Sequence, residues 1–269
     1  MKKFLLNLYI RIFARPEFVN FNLALFQLSL RGLGVLNYQN DRVSGEKYLI
    51  TKILPNLVKS DAPVFIDVGA YIGNYSLTLL EYFPTAIIHA IEPHPRNYSR
   101  LTENLSSSKV KTHNIAFGES CGKFSLYDRD DSDGSQHASL YGEVISEIHK
   151  QEIITFDVLV ETLDVFAERE KVSHIDFIKI DTEGNEFAVL QGALNLLKQG
   201  EIECIQFEMN EMNVVSRIFF NDFRKTLNNY QLYRLLPRGL MPLSTVPLET
   251  ELFAFQNIIA LHKRNLGKL

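Results

Sequence analysis

Cysteine is scarce: Cys121 and Cys204 are the only two in 269 residues. That excludes a disulfide framework and a cysteine-built metal centre. Two free thiols suit a reducing, cytoplasmic compartment. An excess of one charge is also missing. The net charge is −4, so global electrostatics supply no reason for nucleic acid to bind. No apolar run approaches the roughly 20 residues that span a bilayer. The apolar stretch at residues 4–13 is broken by Asn7 and Arg11 and lacks a small-residue cleavage site, which argues against a secretory signal. It reads as a helix whose apolar face packs on the domain or touches a membrane surface. Lys2, Lys3, Arg11 and Arg15 would meet the headgroups in the second case.

The composition that is present, 46% apolar and 22% charged, is that of an ordinary globular chain. Strand-like runs at 64–68, 86–91, 110–116, 175–180 and 203–208 alternate with helix-like stretches at 74–82, 96–105 and 185–198. This rhythm predicts an α/β fold with a doubly wound, mostly parallel sheet. Continuous apolar strands such as Phe177-Ile178-Lys179-Ile180 suit a sheet buried on both faces. Residues 1–60 read as a basic N-terminal helical extension, broken near Arg31-Gly32-Leu33-Gly34, and residues 61–269 as the sheet domain. Residues 118–161 interrupt the alternation, with strand-like 123–127 and 152–159 flanking a long acidic loop at 128–140. Two apolar runs within 232–261 predict an antiparallel hairpin at the sheet edge.

The most informative stretch is Phe65-Ile66-Asp67-Val68-Gly69-Ala70-Tyr71-Ile72-Gly73-Asn74-Tyr75-Ser76. An apolar strand ends in Asp and Gly, and a helix starts at once. Gly69 and Gly73 admit positive φ and close approach of a ligand to backbone, and the helix start turns free N–H groups to the same place. Glu92 closes the next apolar run, where a carboxylate can accept hydrogen bonds from both hydroxyls of a ribose and repels a 2′-phosphate. The spacing Gly-x-x-x-Gly is not the dinucleotide fingerprint.

These segments, with Ile91-Glu92-Pro93-His94-Pro95, Asn114-Ile115-Ala116-Phe117-Gly118, the block Asp181-Thr182-Glu183-Gly184-Asn185-Glu186 and Val189-Leu190-Gln191-Gly192-Ala193, resemble the FkbM family of class I S-adenosylmethionine-dependent methyltransferases. The resemblance covers roughly residues 45–215. It implies a Rossmann-like class I methyltransferase sheet and methyl transfer to hydroxyls of sugars and other natural products. It also implies that the cofactor's amino-acid end lies over Gly69, Ala70 and Gly73, with Asp67 holding the loop. The ribose would meet Glu92, with Pro93 shaping the pocket, and the adenine would pack beside Asn114, Ile115 and Ala116. Ser139-Leu140 occupies the place of a Ser-Ser-Leu element of the family, with Ala138 in place of the first serine.

An acceptor alcohol loses a proton during attack, so a positioned carboxylate or His is needed. Asp181 and Glu208 at strand ends, and His137 in the long loop, are the catalytic candidates; Glu183 is a further active-site acid. Glu186 reads as a helix N-terminal acid complementing the dipole. His94 reads as a surface residue and His113 as a packed one. No dedicated metal cage is visible, although strand-end carboxylates are compatible with Mg²⁺. The acceptor is expected to be a small molecule or glycan, and no base-flipping Asn-Pro-Pro-Tyr element is present. Two alternatives share the same turn and acid: a Rossmann oxidoreductase using NAD, and a non-catalytic binding module built on the methyltransferase fold.

Overall fold

The computed structural model describes residues 2–129, 134, 135, 137–148 and 150–268. The apolar runs fold as strands β1 (Val64–Val68), β2 (Ile87–Ile91), β3 (Lys111–His113), β4 (Ala116–Phe117), β5 (Gly122–Arg129), β6 (Ile153–Glu161), β7 (Ile175–Ile180), β8 (Ile202–Met209), β9 (Tyr230–Leu236), β10 (Gly239–Pro242) and β11 (Gln256–His262). Eight of them form one sheet in the order β10-β9-β11-β8-β7-β1-β2-β3. The run β3-β2-β1-β7-β8 is parallel throughout. β11 enters antiparallel between β8 and β9, and β9–β10 make the expected edge hairpin.

Every residue of β7 is buried, as an interior parallel strand with helices on both faces requires. Register explains the two cores. Phe65 pairs with Phe177 and Ile66 with Ile178, so neighbours along each strand point to opposite faces. Phe65 and Phe177 pack with Leu79, Ile88, Leu49, Ile50 and Leu54. Ile66 and Ile178 pack with Leu163, Phe166, Val189 and Phe207. The layer beneath the sheet therefore begins before residue 60, because Leu49, Ile50, Ile53, Leu54 and Leu57 are part of it.

Three expected elements differ in detail. The run at 110–116 splits into β3 and β4, which join different sheets. Asn114 stays exposed at the break, and its side chain donates to the carbonyls of Glu92 and Pro93 at 2.9 and 3.0 Å. The helix expected at 185–198 breaks into Glu186–Gln191 and Leu194–Gln199 around Gly192. A Cβ there would lie 2.1 Å from the Gly118 carbonyl. The interruption at 118–161 is a three-stranded sheet, β4-β6-β5, followed by an unforeseen helix, Leu163–Glu170, capped by the Thr162 side chain.

The chain runs from β1 outward to β2 and β3, then returns to the other flank of β1 as β7 and β8. Strand order thus reverses between β1 and β7. In open parallel sheets a ligand crevice opens at the carboxyl end of such a switch.

Candidate active site

A cleft of about 660 Å³ lies at that switch, within the size range of small-molecule sites. Its floor begins at the turn after β1. Gly69 has φ +78, and a Cβ on it would sit 1.8 Å from the Asp181 carbonyl, so only glycine lets the two strand ends approach this closely. Gly69, Ala70 and Tyr71 line the cleft. Gly73 does not: it starts the helix Asn74–Tyr82 at φ +90 and faces Leu101 and Leu105. Its place is set by helix packing, not by a ligand. Asp67 also turns away from the cleft. It is fully buried and accepts a 2.7 Å bond from the Ser76 hydroxyl. Burial raises its pKa, offset in part by Lys179. Its task is to tie β1 to the following helix.

Glu92 lines the cleft at the end of β2 and is 5% exposed. Its two oxygens accept the backbone N–H groups of Tyr71 and His94, each at 2.9 Å. Amide donors, not a salt bridge, hold it, and burial pushes its pKa up to about 7. Pro93 lines the cleft beside it. Of the third-strand residues, Ala116 lines the cleft, joined by Phe117, while Ile115 packs in the core and Asn114 braces the Glu92-Pro93 turn from outside. His94 is not at the surface as expected. It is fully buried, its Nδ1 caps the helix Pro95–Asn104, and its Nε2 lies 3.3 Å from Asp128.

Opposite Glu92 stands a group of charged residues. Asp181, Glu183 and Glu208 all line the cleft, and the loop brings His137 to the same cavity. The His137 Nδ1 lies 2.8 Å from Glu183 Oε1. That hydrogen bond raises the imidazole's pKa against the effect of burial. Glu183 reaches it from a left-handed backbone, φ 54, a strained conformation of the kind concentrated at functional sites. Burial, then the charges of Asp181 and Glu183, push the Glu208 carboxyl far above the usual range. Its Oε1 accepts a bond from Asn210. Glu186 stands behind this group at 1% exposure, accepting the N–H groups of Thr182 and Gly184. It supports the loop, in keeping with its reading as a structural acid.

One residue carried no weight in the sequence reading. Lys179 on β7 is 7% exposed, lines the cleft, bonds Asp181 at 2.8 Å and lies 5.0 Å from the centre of the Tyr75 ring. Burial opposes its charge, but Asp181, Asp67 and Glu46 outweigh it and hold the ammonium protonated. A lysine inside the run Phe177-Ile178-Lys179-Ile180 was the available signal. The segment before the first strand was missed as well: Leu36, Tyr38, Asn40 and Glu46 form one wall of the cleft.

A family model, the methyltransferase FkbM domain, matches residues 67–235. This chain belongs to the FkbM methyltransferase family. The match favours methyl transfer over nicotinamide chemistry, and methyltransferases of this kind use S-adenosylmethionine. Among relatives of this FkbM protein, the 2-O-methyltransferase NoeI of Sinorhizobium fredii is 22% identical over 193 residues, 69% of this chain and 79% of that one. Methyltransferase sdnD of Sordaria araneosa is 30% identical over 155 residues, 48% of this chain and 60% of its own. A methyltransferase FkbM of Methylobacillus flagellatus, known from its crystal structure, aligns with a TM-score of 0.47 at 16% identity. That alignment covers 76% of this chain and 44% of the other. The chain thus spans about three fifths of sdnD and less than half of the crystallised protein.

The other histidine pair lies apart from the FkbM cleft. His89 and His113 are joined ring nitrogen to ring nitrogen at 3.1 Å, with planes 15° apart and centres 5.2 Å apart. Those spacings put the two nitrogens head-on, the geometry of an N–H···N bond, in keeping with the packed role expected of His113. Burial, then the neighbouring His113 and Lys111, lower the His89 pKa to about 4.

Proposed function

We propose that this chain is an S-adenosylmethionine-dependent O-methyltransferase acting on a hydroxyl of a sugar, glycan or other natural product. One observation carries the reading. A buried, ionisable carboxylate, Glu92, and a His–carboxylate pair, His137–Glu183, face the same cleft at the topological switch. The first suits a nucleoside diol and the second suits an alcohol that must lose a proton. The name of NoeI as a 2-O-methyltransferase supports oxygen as the acceptor atom.

The cleft's residues fit the cofactor. Its volume suffices, the close-packed Gly69 turn leaves backbone at the floor, and the Glu92 carboxylate is held without a competing cation. Glu92 would hold the ribose, Gly69, Ala70 and Tyr71 the amino-acid end, and Ala116 and Phe117 the adenine. When bound, the cofactor supplies a methyl group already activated by its sulfonium. The protein's work is then to align the acceptor and remove one proton. Proximity of this kind contributes several kcal/mol to lowering a barrier. Glu183 fixes the His137 ring through Nδ1 and raises its basicity, so His137 takes the acceptor's proton. Asp181, paired with Lys179 at 2.8 Å, presents a carboxylate hydrogen-bond acceptor suited to orienting a hydroxyl. Burial and the charges of Asp181 and Glu183 push the Glu208 carboxyl toward its protonated form, which suits it to contact a second acceptor oxygen. No step requires Mg²⁺.

Calorimetric titration with S-adenosylhomocysteine and with NAD tests the cofactor half. We expect binding of the first and none of the second; the reverse result overturns the proposal. Labelled S-adenosylmethionine with a panel of hydroxylated glycans then tests the acceptor half. Transfer to nitrogen acceptors alone would refute oxygen methylation.

A further inference from the structure

Two helices, Lys2–Phe13 and Val19–Gly32, hold apolar side chains in solvent along both their lengths. Phe4 is 70% exposed, Leu6 58%, Ile10 53%, Phe26 56% and Leu28 66%. Exposed apolar surface on this scale marks an interaction site. The two helices form one rigid unit. The Phe13 ring lies 4.9 Å from Tyr9, 5.1 Å from Phe18 and 5.4 Å from Phe21. Asn22 donates to the Phe13 carbonyl at 2.9 Å. Neither helix is long and apolar enough to cross a membrane.

Charge identifies the occupant. Residues 1–40 contain Lys2, Lys3, Arg11, Arg15 and Arg31 against one acid, Glu17, in a chain whose net charge is −4. The rest of the chain therefore carries the whole negative balance. Pairing this unit with a second copy would bring two such basic sets together, whereas an anionic lipid surface neutralises them. Apolar side chains beside Lys and Arg are the composition of a helix lying in a membrane interface.

The unit is rooted at the cleft's rim. Leu30 and Val35 are buried, and a Cβ on Gly34 would lie 2.7 Å from the Leu235 carbonyl. The Leu33 carbonyl accepts a bond from Arg234. The next residues, Leu36, Tyr38 and Asn40, are already cleft wall. We propose that the two helices dock in the interface of an anionic membrane and hold the cleft's mouth against it. The acceptor is then a hydroxyl on a lipid-anchored molecule. This second half rests on the methyltransferase reading; the docking does not.

Vesicle flotation of the full chain tests it. Vesicles of phosphatidylcholine are compared with vesicles in which about a third of the lipid is phosphatidylglycerol. The expected result is at least about tenfold more protein on the anionic vesicles, reversed by raised salt. The double variants Leu6→Asp/Leu28→Asp and Arg11→Glu/Arg15→Glu should lose flotation with circular dichroism and S-adenosylhomocysteine affinity unchanged. Absence of flotation, or flotation that both variants retain, overturns the docking. So does a lipid-free dimer that Leu28→Asp dissociates. Flotation is read without methyl transfer, so an inactive protein that still floats separates this proposal from the previous one. If docking holds but methyl transfer is no faster to a lipid-anchored sugar than to the same sugar in solution, the acceptor half falls.

Discussion

Burial holds the Glu92 carboxyl at about 7, yet gripping a ribose diol requires its ionised form. Ligand binding therefore competes with protonation. S-adenosylhomocysteine affinity is expected to be level above pH 7 and to fall by up to about tenfold per unit below it. Calorimetry across that range checks this, and Glu92→Gln should abolish the dependence while weakening binding. Glu92→Ala is expected to cost more affinity than Glu186→Ala, because Glu186 bonds only its own loop. Equal losses would undo the ribose assignment. Gly69→Ala forces a methyl group onto the Asp181 carbonyl at a positive φ. We expect a loss of roughly 3 kcal/mol or more in denaturant unfolding. Glu92 and Gly69 were legible in sequence because a strand end dictates where such residues point. Gly73 and Asp67 were not: the same motif contains residues that face a ligand and residues that face a helix, and only packing separates them.

Two segments outside the parallel strands complete the cleft. The loop after β5 delivers His137 and Ala138, and the segment before β1 delivers Leu36, Tyr38 and Asn40. Because Glu183 raises the His137 pKa, the acid limb of kcat/KM is expected to lie above the ordinary imidazole value of about 6.5. Glu183→Gln should move that limb down while lowering kcat, which a pH–rate profile reads directly. Tyr38→Ala is expected to raise KM for the acceptor with little change in S-adenosylhomocysteine affinity, since Tyr38 belongs to the wall contributed by the N-terminal segment. The loop's length suggested function, its acidic, Ser-containing composition suited a solvated, mobile loop equally well, and neither showed where it lands. Asp130, Ser132 and Asp133, part of the expected acidic loop, lie outside the described residues. For the N-terminal segment, no local pattern distinguishes a helix resting on the sheet from a chain crossing a cleft. The strand at 110–116 was visible, but its division between two sheets was not, because β3 pairs with β2 and β4 with β6, a partner far along the chain.

The molecule stores several carboxyl groups away from water. Glu92 and Glu186 both sit at about 7 through burial, and Glu183, Glu208 and Asp67 are raised as well. A raised folded pKa means that the native state binds protons more tightly than the unfolded chain. The stability so gained is fully present below the unfolded value and is lost as pH rises through the folded one. His137 acts in the same sense. His89, lowered to about 4, acts oppositely, but only below its unfolded value. Between pH 6.5 and 8 the balance therefore has one sign. The ligand-free protein is expected to lose roughly 1–2 kcal/mol across that window from Glu92 and Glu186 alone. Thermal unfolding checks it; a midpoint that climbs with pH would show that these carboxyls ionise without cost. Saturating S-adenosylhomocysteine should steepen stabilisation toward the alkaline end, where Glu92 is ionised.

Local chemistry was enough to establish a parallel α/β sheet, the strand-to-helix turn at Gly69, the acid at Glu92 and the strand-end carboxylates Asp181 and Glu208. Each depends on the apolar period of a strand and on what its last residue must do. Folding alone brought His137 to Glu183 and made Glu46 and Tyr38 part of the cleft. These relationships join residues up to a hundred or more positions apart. They arise from the reversal of strand order at β1 and β7, which no short stretch of chain encodes.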